Sequence, residues 1–292
     1  MTSDTDGAAT DEATDDQATE FRELGELCHR TAVDVGERAL RYRRERTTLS
    51  DDAIDTKSTP TDVVTEADQL AEALIRETLM AARPEAAWLG EESGRAAGSS
   101  GSGGLEWVVD PIDGTTNFLY DLPGWAVSIA ARIGGASVAA AVHVPTLRQT
   151  FTAVKGAGAW LHDETFVGAG SANGRRQLTA STATDLETAL IATGFAYDAQ
   201  VRRRQGALVG QLVGRVRDIR RFGAASVDLC AVAAGSVDAY FERGPQPWDL
   251  AAGSLIATEA GAVVHERASG TVVAAGSGIT DALNALLDEL GD

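Results

Sequence analysis

Lysine is almost absent from this 292-residue chain: of its 25 basic side chains only Lys57 and Lys155 are lysines. Such a skew is compositional, so an arginine taken singly marks no site. Cysteine is scarce too. Cys28 and Cys230 fit neither a disulfide framework nor a spaced metal motif, and Cys230 sits in the apolar run "LCAVAA" as a core residue would. A reducing, cytoplasmic setting is the expectation. No apolar run approaches the ~18 residues of a membrane-spanning helix. The acidic N-terminus shows neither the basic nor the apolar segment of a secretory leader. Positive charge is outweighed, with a formal net charge of −18, which argues against nonspecific binding to nucleic acid or anionic membranes.

What is present divides unevenly. Asp4, Asp6, Asp11, Glu12, Asp15, Asp16 and Glu20 crowd the first twenty positions without a basic residue. Residues 1–18 also lack periodicity, and read as a disordered acidic tail ahead of one domain spanning 19–292. From Phe21 the apolar positions Leu24, Cys28, Ala32, Val35 and Ala39 recur at helical spacing. A second helix is predicted from about Glu66 to Arg83-Pro84. Strand signals follow in "AWLG", "EWVVD", "GWAVSIAARI", "SVAAAVHV", "RQTFTAV" and "GAWLH", as in an antiparallel meander. Gly/Ser-rich loops cover Arg95–Gly104 and Gly168–Arg176. The second half alternates strands with helices, so the class is α/β: layered sheets with helices packed on them.

Four acidic signals fall where an element begins or ends: Asp68 in "VVTEAD", Glu91-Glu92 in "LGEES", Asp110 and Asp113 in "DPIDGT", and Asp249 in "PWDLAAG". Hard cations such as Mg²⁺ take oxygen ligands. Carboxylates converging from separate elements suit the two-metal arrangement of phosphoryl chemistry. In "WVVDPIDGTTNF" the strand is expected to end at Asp110. Pro111 then shapes a turn that aims the Ile112 carbonyl and Asp113 inward. Gly114 permits close backbone approach, and Thr115-Thr116 opens a helix whose N–H groups face an anion.

Together with "KSTPTDVVTEAD", "RRFGAASVDLCAVAAGSVDAYFERG" and "PWDLAAGSLIATEAG", these motifs stand in an order that resembles the inositol monophosphatase family of Mg²⁺-dependent, lithium-sensitive sugar phosphatases. The resemblance implies a five-layer αβαβα sandwich and a homodimer. It implies that Glu91, Asp110 and the Ile112 carbonyl hold one Mg²⁺ and that Asp110, Asp113 and Asp249 hold a second, with Glu91 reaching a third. Thr115, paired with Asp68, would orient the attacking water, and the Gly114 and Thr115 amides would bind phosphate. Asp113, Ala225, Glu242 and Asp249 would line the pocket for a small phosphorylated polyol, and Lys57 would lie near the site. Myo-inositol monophosphate is the first substrate expectation. Fructose 1,6-bisphosphate, histidinol phosphate and adenosine 3′,5′-bisphosphate are alternatives within the fold, and a fold-retaining regulatory binding protein is the alternative outside catalysis.

Plainer readings stand beside these. Asp-Pro and Asp-Gly favour turns in any protein, and Asp68 suits a helix start for its dipole alone. Glu242 reads equally as a solvated strand end. Arg202–Arg204 with Arg215, Arg217, Arg220 and Arg221 read as a solvated face, and His29, His143, His162 and His265 as scattered core or surface residues. The spacing Asp-x-x-Asp-Gly-Thr excludes the haloacid dehalogenase pattern, which has one residue fewer between its aspartates.

Overall fold

The helical periodicity is satisfied by burial. Helix α1 spans Asp6–Glu45, and Phe21, Leu24, Cys28, Ala32, Val35 and Ala39 are all buried. Beside it, α2 covers Glu66–Ala82 and stops just short of Pro84, whose ring disfavours helical backbone in the residue before it. The computed structural model describes residues 6–45, 54–56, 63–99, 101, 103–165 and 174–292. Lys57 and positions 168–173 of the second Gly-rich loop lie outside the described residues.

One expectation needs correcting. The stretch read as a disordered tail is helical from Asp6 onward, continuing α1 upstream of Phe21; residues 1–5 lie outside the described residues. Alanine extends a helix at little cost, and acidic residues suit the positive N-terminal end of its dipole. Those turns carry no apolar stripe, and Asp15, Asp16 and Gln17 are exposed, so the core begins at Phe21.

A short antiparallel ribbon joins β1 (Ile54–Thr56) to β2 (Val63–Thr65). The first large sheet contains β3 (Ala87–Gly90), β4 (Gly94–Ala96), β5 (Leu105–Asp113), β6 (Ala126–Ile133), β7 (Ala136–Val144), β8 (Gln149–Val154), β9 (Ala159–Asp163) and β10 (Arg175–Gln177). Its order is β10-β9-β8-β7-β6-β5-β3-β4. From β5 to β10 it is the expected antiparallel meander, while β3 joins β5 in parallel. Between β5 and β6 lies the one-turn helix α3 (Thr115–Leu119).

The second half supplies β11 (Leu190–Thr193), α4 (Ala199–Leu212), β12 (Asp218–Arg220), α5 (Ala225–Ala233) and β13 (Ala239–Arg243). It continues with α6 (Pro247–Glu259), β14 (Ala262–Glu266), β15 (Thr271–Gly276) and α7 (Thr280–Glu289). Its sheet runs β12-β11-β13-β15-β14.

Three cores stack these parts into the five expected layers. Alternate residues of a strand face opposite ways: Trp107 and Val109 of β5 pack with α1 and α2, whereas Val108 packs with α5 and α6. The middle core joins α5 and α6 to both sheets. A third joins the outer face of the smaller sheet to Leu212 of α4 and to Leu283, Leu286 and Leu287 of α7. Both cysteines are buried and unpaired, and burial pushes the Cys28 thiol up to about 12. The histidines are less scattered than expected. His29 of α1 and His162 of β9 lie with ring centroids 4.5 Å apart, and burial lowers His143 and His162 to about 4, so they pack as neutral rings. Among the described residues no helix is long and apolar enough to cross a membrane.

Because the core starts at Phe21, deleting residues 1–17 should leave the melting temperature nearly unchanged. Leu24→Ala, inside the same helix but fully buried, should cost about 2–5 kcal/mol. Thermal melts of the two variants check this; a loss of several degrees in the deletion would show that the first turns pack.

Candidate active site

The strand β5 does not end at Asp110 as expected. It continues to Asp113, but its pairing with β6 slips: Asp110 faces Ser128 and Asp113 faces Ala126, with a register shift between them. In a regular strand, residues three apart point to opposite faces. Three steps on β5 against two on β6 amount to a β-bulge, and the extra residue turns both carboxylates to one side. Pro111 is tolerated there because a bulge leaves one N–H without a ladder partner. The Ile112 N–H donates instead to Asp110 Oδ1 at 3.1 Å.

Asp110 and Asp113 open onto a cavity of about 420 Å³ whose wall also includes Glu91, Ile112, Gly114, Thr115, Ala225, Glu242 and Asp249. Among the described residues, Asp68 is the one proposed ligand, catalytic or pocket residue that does not line this space. Asp68 is fully buried behind it and accepts from the Thr115 hydroxyl at 3.3 Å. That hydroxyl also lies 3.2 Å from the Ile112 carbonyl. With one proton and two lone pairs, it donates to one of these acceptors at a time and can itself still accept a hydrogen bond.

Each acid is held by its own device. Asp113 Oδ2 accepts the Ser226 N–H at 2.7 Å, at the first turn of α5. Asp249 sits in the first turn of α6 and accepts the Gln246 N–H at 2.6 Å. Glu91 follows β3, its N–H bonded to the Val109 carbonyl at 3.1 Å. Glu242, on β13, accepts from the Tyr240 hydroxyl at 2.9 Å. Its carboxylate lies over Gly194, where any Cβ would stand 1.8 Å from Glu242 Oε2 and push that carboxylate aside. Gly114 adopts φ 91° with Ala224, Gly223 and Trp125 pressed around it.

Four supporting residues were not singled out from sequence as site residues. Glu72 of α2 is buried and accepts from the Glu92 and Ser93 amides at 2.7 and 2.9 Å, fixing the turn that carries Glu91. Asn117 Nδ2 reaches the carbonyls of Pro123, Gly124 and Phe222 at 3.2, 3.0 and 2.7 Å, tying α3 to the segment before α5. Asp228, buried on α5, and Arg221 both line the cavity. The rest of the arginine group behaves as a solvated face: Arg215 pairs with Glu289 and Arg220 with Asp218.

Like charges dominate the electrostatics. Burial, then the charges of Glu91, Asp113 and Asp249, raise the pKa of Asp110 well above the usual carboxylate range, and Glu91 hydrogen-bonds to it directly. Asp249 is raised by burial and by Asp113. Burial brings Asp113 to about 6, against the opposing pull of its Ser226 bonds. Glu242 rises to about 7 through burial, moderated by Tyr240 and Arg221. Such crowding is relieved by protons or by a cation. The donors are carboxylate and carbonyl oxygens, which fit a hard divalent ion. Among the described residues no three acidic side chains are already close enough together to hold an ion.

A family profile described as "Inositol monophosphatase family" matches residues 22–290. The chain belongs to that family. Its members are metal-dependent phosphatases. The chain is 45% identical over 260 residues to "Inositol-1-monophosphatase" of Mycobacterium bovis, covering 86% of this chain and 87% of that one. It is 41% identical over 240 residues to "Nus factor SuhB" of Escherichia coli, covering 79% and 85%. Among solved structures it superposes on "Mycobacterium tuberculosis SuhB" with a TM-score of 0.78 at 40% identity, covering 92% and 97%.

The raised carboxyls set a pH dependence for the metal-free protein. The folded pKa of Asp113 lies near 6 against an ordinary 3.8, so the native state binds more protons. Stability is then greatest below the ordinary range and is lost as pH rises through the folded value. Chelator-treated protein should melt lower at about pH 8 than at about pH 5, and Asp110→Asn should narrow the difference. A melting temperature that rises over that interval would contradict the crowding.

Proposed function

We propose that the protein hydrolyses the phosphomonoester of myo-inositol monophosphate, releasing inositol and phosphate, in a Mg²⁺-dependent and lithium-sensitive reaction. The observation that carries this reading is the juxtaposition of the crowded oxygen donors with the Thr115–Asp68 contact at one cavity wall. Glu91, Asp110 and the Ile112 carbonyl would hold one ion; Asp110, Asp113 and Asp249 a second, with Glu91 reaching a third. Bound there, Mg²⁺ supplies an acidified water and neutralises phosphoryl charge.

The chain's own residues do the rest. Thr115 Oγ1 offers a lone pair toward the cavity while its proton goes to Asp68, so together they orient the attacking water. Asp68, excluded from solvent, accepts the proton that the hydroxyl gives up when it receives one in turn. The Gly114–Thr115 backbone binds phosphate oxygens beside them. Glu242, held by Tyr240 and Gly194, accepts hydroxyls of the polyol, and Ala225 at the α5 start leaves room for the ring. Phosphoryl transfer of this kind is mostly positioning and charge stabilisation.

A cytoplasmic homodimer completes the proposal. Both thiols are unpaired, and the exposed Tyr120, Leu122 and Phe222 lie on segments that Asn117 ties together, an apolar patch suited to a second copy. A regulatory role beside catalysis is the second reading, favoured by the Escherichia coli relative, which is named a Nus factor.

Phosphate release from inositol monophosphate, fructose 1,6-bisphosphate, histidinol phosphate and adenosine 3′,5′-bisphosphate, each with Mg²⁺ and with chelator, tests the reading. Inositol monophosphate should give the highest kcat/KM, chelator should abolish it, and Li⁺ should inhibit. Asp110→Asn should remove turnover and Mg²⁺ affinity together. Thr115→Ala and Asp68→Asn should each lower kcat by roughly 10²–10⁴-fold, with the double variant little worse than either. Full turnover in metal-free protein would refute the mechanism.

A further inference from the structure

Thr115 and Asp68 belong to two elements that meet only at their ends. Thr115 begins α3, a single turn of five residues, and a helix that short is not stable on its own hydrogen bonds. Its last carbonyls have no partner within the helix. The α1 helix supplies one. Arg43, buried near the end of α1, donates from Nε to the Phe118 carbonyl at 2.8 Å and from Nη2 to the Leu119 carbonyl at 3.1 Å. A guanidinium at a helix C-terminus also suits the negative end of its dipole.

The neighbouring residue grips the other element. Tyr42 donates its hydroxyl to Glu66 Oε2 at 2.8 Å, and Glu66 is the first residue of α2, two before Asp68. Successive positions on α1 thus hold the helix that carries Thr115 and the helix that carries Asp68. The contact between those two is 3.3 Å long, at the weak end of hydrogen-bond geometry, where small displacements of either helix break it.

We propose that Arg43 and Tyr42 are positioning residues for the hydrolytic step, and that the end of α1 sets the Thr115–Asp68 geometry without touching substrate. This rests on the reading that Thr115 and Asp68 orient the attacking water. Neither residue lines the cavity, so substrate and metal affinity are not in their control.

The test is kinetic, on the full chain with Mg²⁺ and inositol monophosphate. Arg43→Met should lower kcat roughly 10- to 100-fold, the scale of small misplacements near a reacting centre. KM and the Mg²⁺ titration midpoint should stay within about twofold. Arg43→Lys, which keeps a donor and the charge, should recover part of the loss. Tyr42→Phe removes one hydroxyl from an exposed contact and should lower kcat by severalfold while remaining folded, so the proposal survives an unstable Arg43 variant. Added to Thr115→Ala, Arg43→Met should cause little further loss. Unchanged kcat in folded Arg43→Met and Tyr42→Phe overturns the proposal, as does a loss that multiplies with that of Thr115→Ala or a fall in Mg²⁺ affinity matching the fall in kcat. If Thr115→Ala is itself fully active, the water-orienting reading fails and takes this proposal with it. If Thr115→Ala is impaired but the α1 variants are not, only the proposal fails.

Discussion

Repulsion among carboxylates is what the rest of this structure works against. Asp110, Asp113, Asp249 and Glu91 share one cavity wall, with Asp110 raised by all three of the others. No local preference assembles such a group. It persists because each acid is fixed by backbone that is itself fixed: the bulge in β5, the first turns of α5 and α6, and the turn that Glu72 closes on α2. Helix starts are favourable places for an anion, and two of the four acids use one. The core on both faces of the large sheet supplies the stability that this arrangement draws on.

Much of the architecture was legible because it is written in local periodicity. The apolar stripe from Phe21 to Ala39 could bury itself only as a helix, and the alternation in "EWVVD" only as a strand with two covered faces. Site residues were legible through motif order, and the cavity gathers Glu91, Asp110, Ile112, Asp113, Gly114, Thr115, Ala225, Glu242 and Asp249. What escaped is long-range or irregular. Period-two reasoning sends Asp110 and Asp113 to opposite faces, and only the partner strand reveals the bulge. Glu72 and Asn117 look like ordinary helix-surface polar residues until the backbone amides and carbonyls they serve are seen in space. The upstream end of α1 carried no apolar signal, so its helix was not read from periodicity.

Cavity residues come from the ends of elements in both halves of the chain, while the end of α1 grips the helices of Thr115 and Asp68 from outside the cavity. Relatives named as an inositol-1-monophosphatase and as a Nus factor match this chain at 45% and 41% identity. In this chain Glu91, Asp110, Asp113 and Asp249 all line one cavity, the observation on which the proposed hydrolysis draws.

If crowded carboxylates await a cation, binding must displace the protons that otherwise relieve the crowding. Calorimetric titration of Mg²⁺ into chelator-stripped protein, in two buffers of different ionisation enthalpy, measures that displacement directly. Near the folded value of about 6 for Asp113, protons should be released on binding, with fewer released once the pH is raised past that value. Mg²⁺ binding with no proton release at the lower pH, or with release that persists unchanged at the higher, would contradict the account.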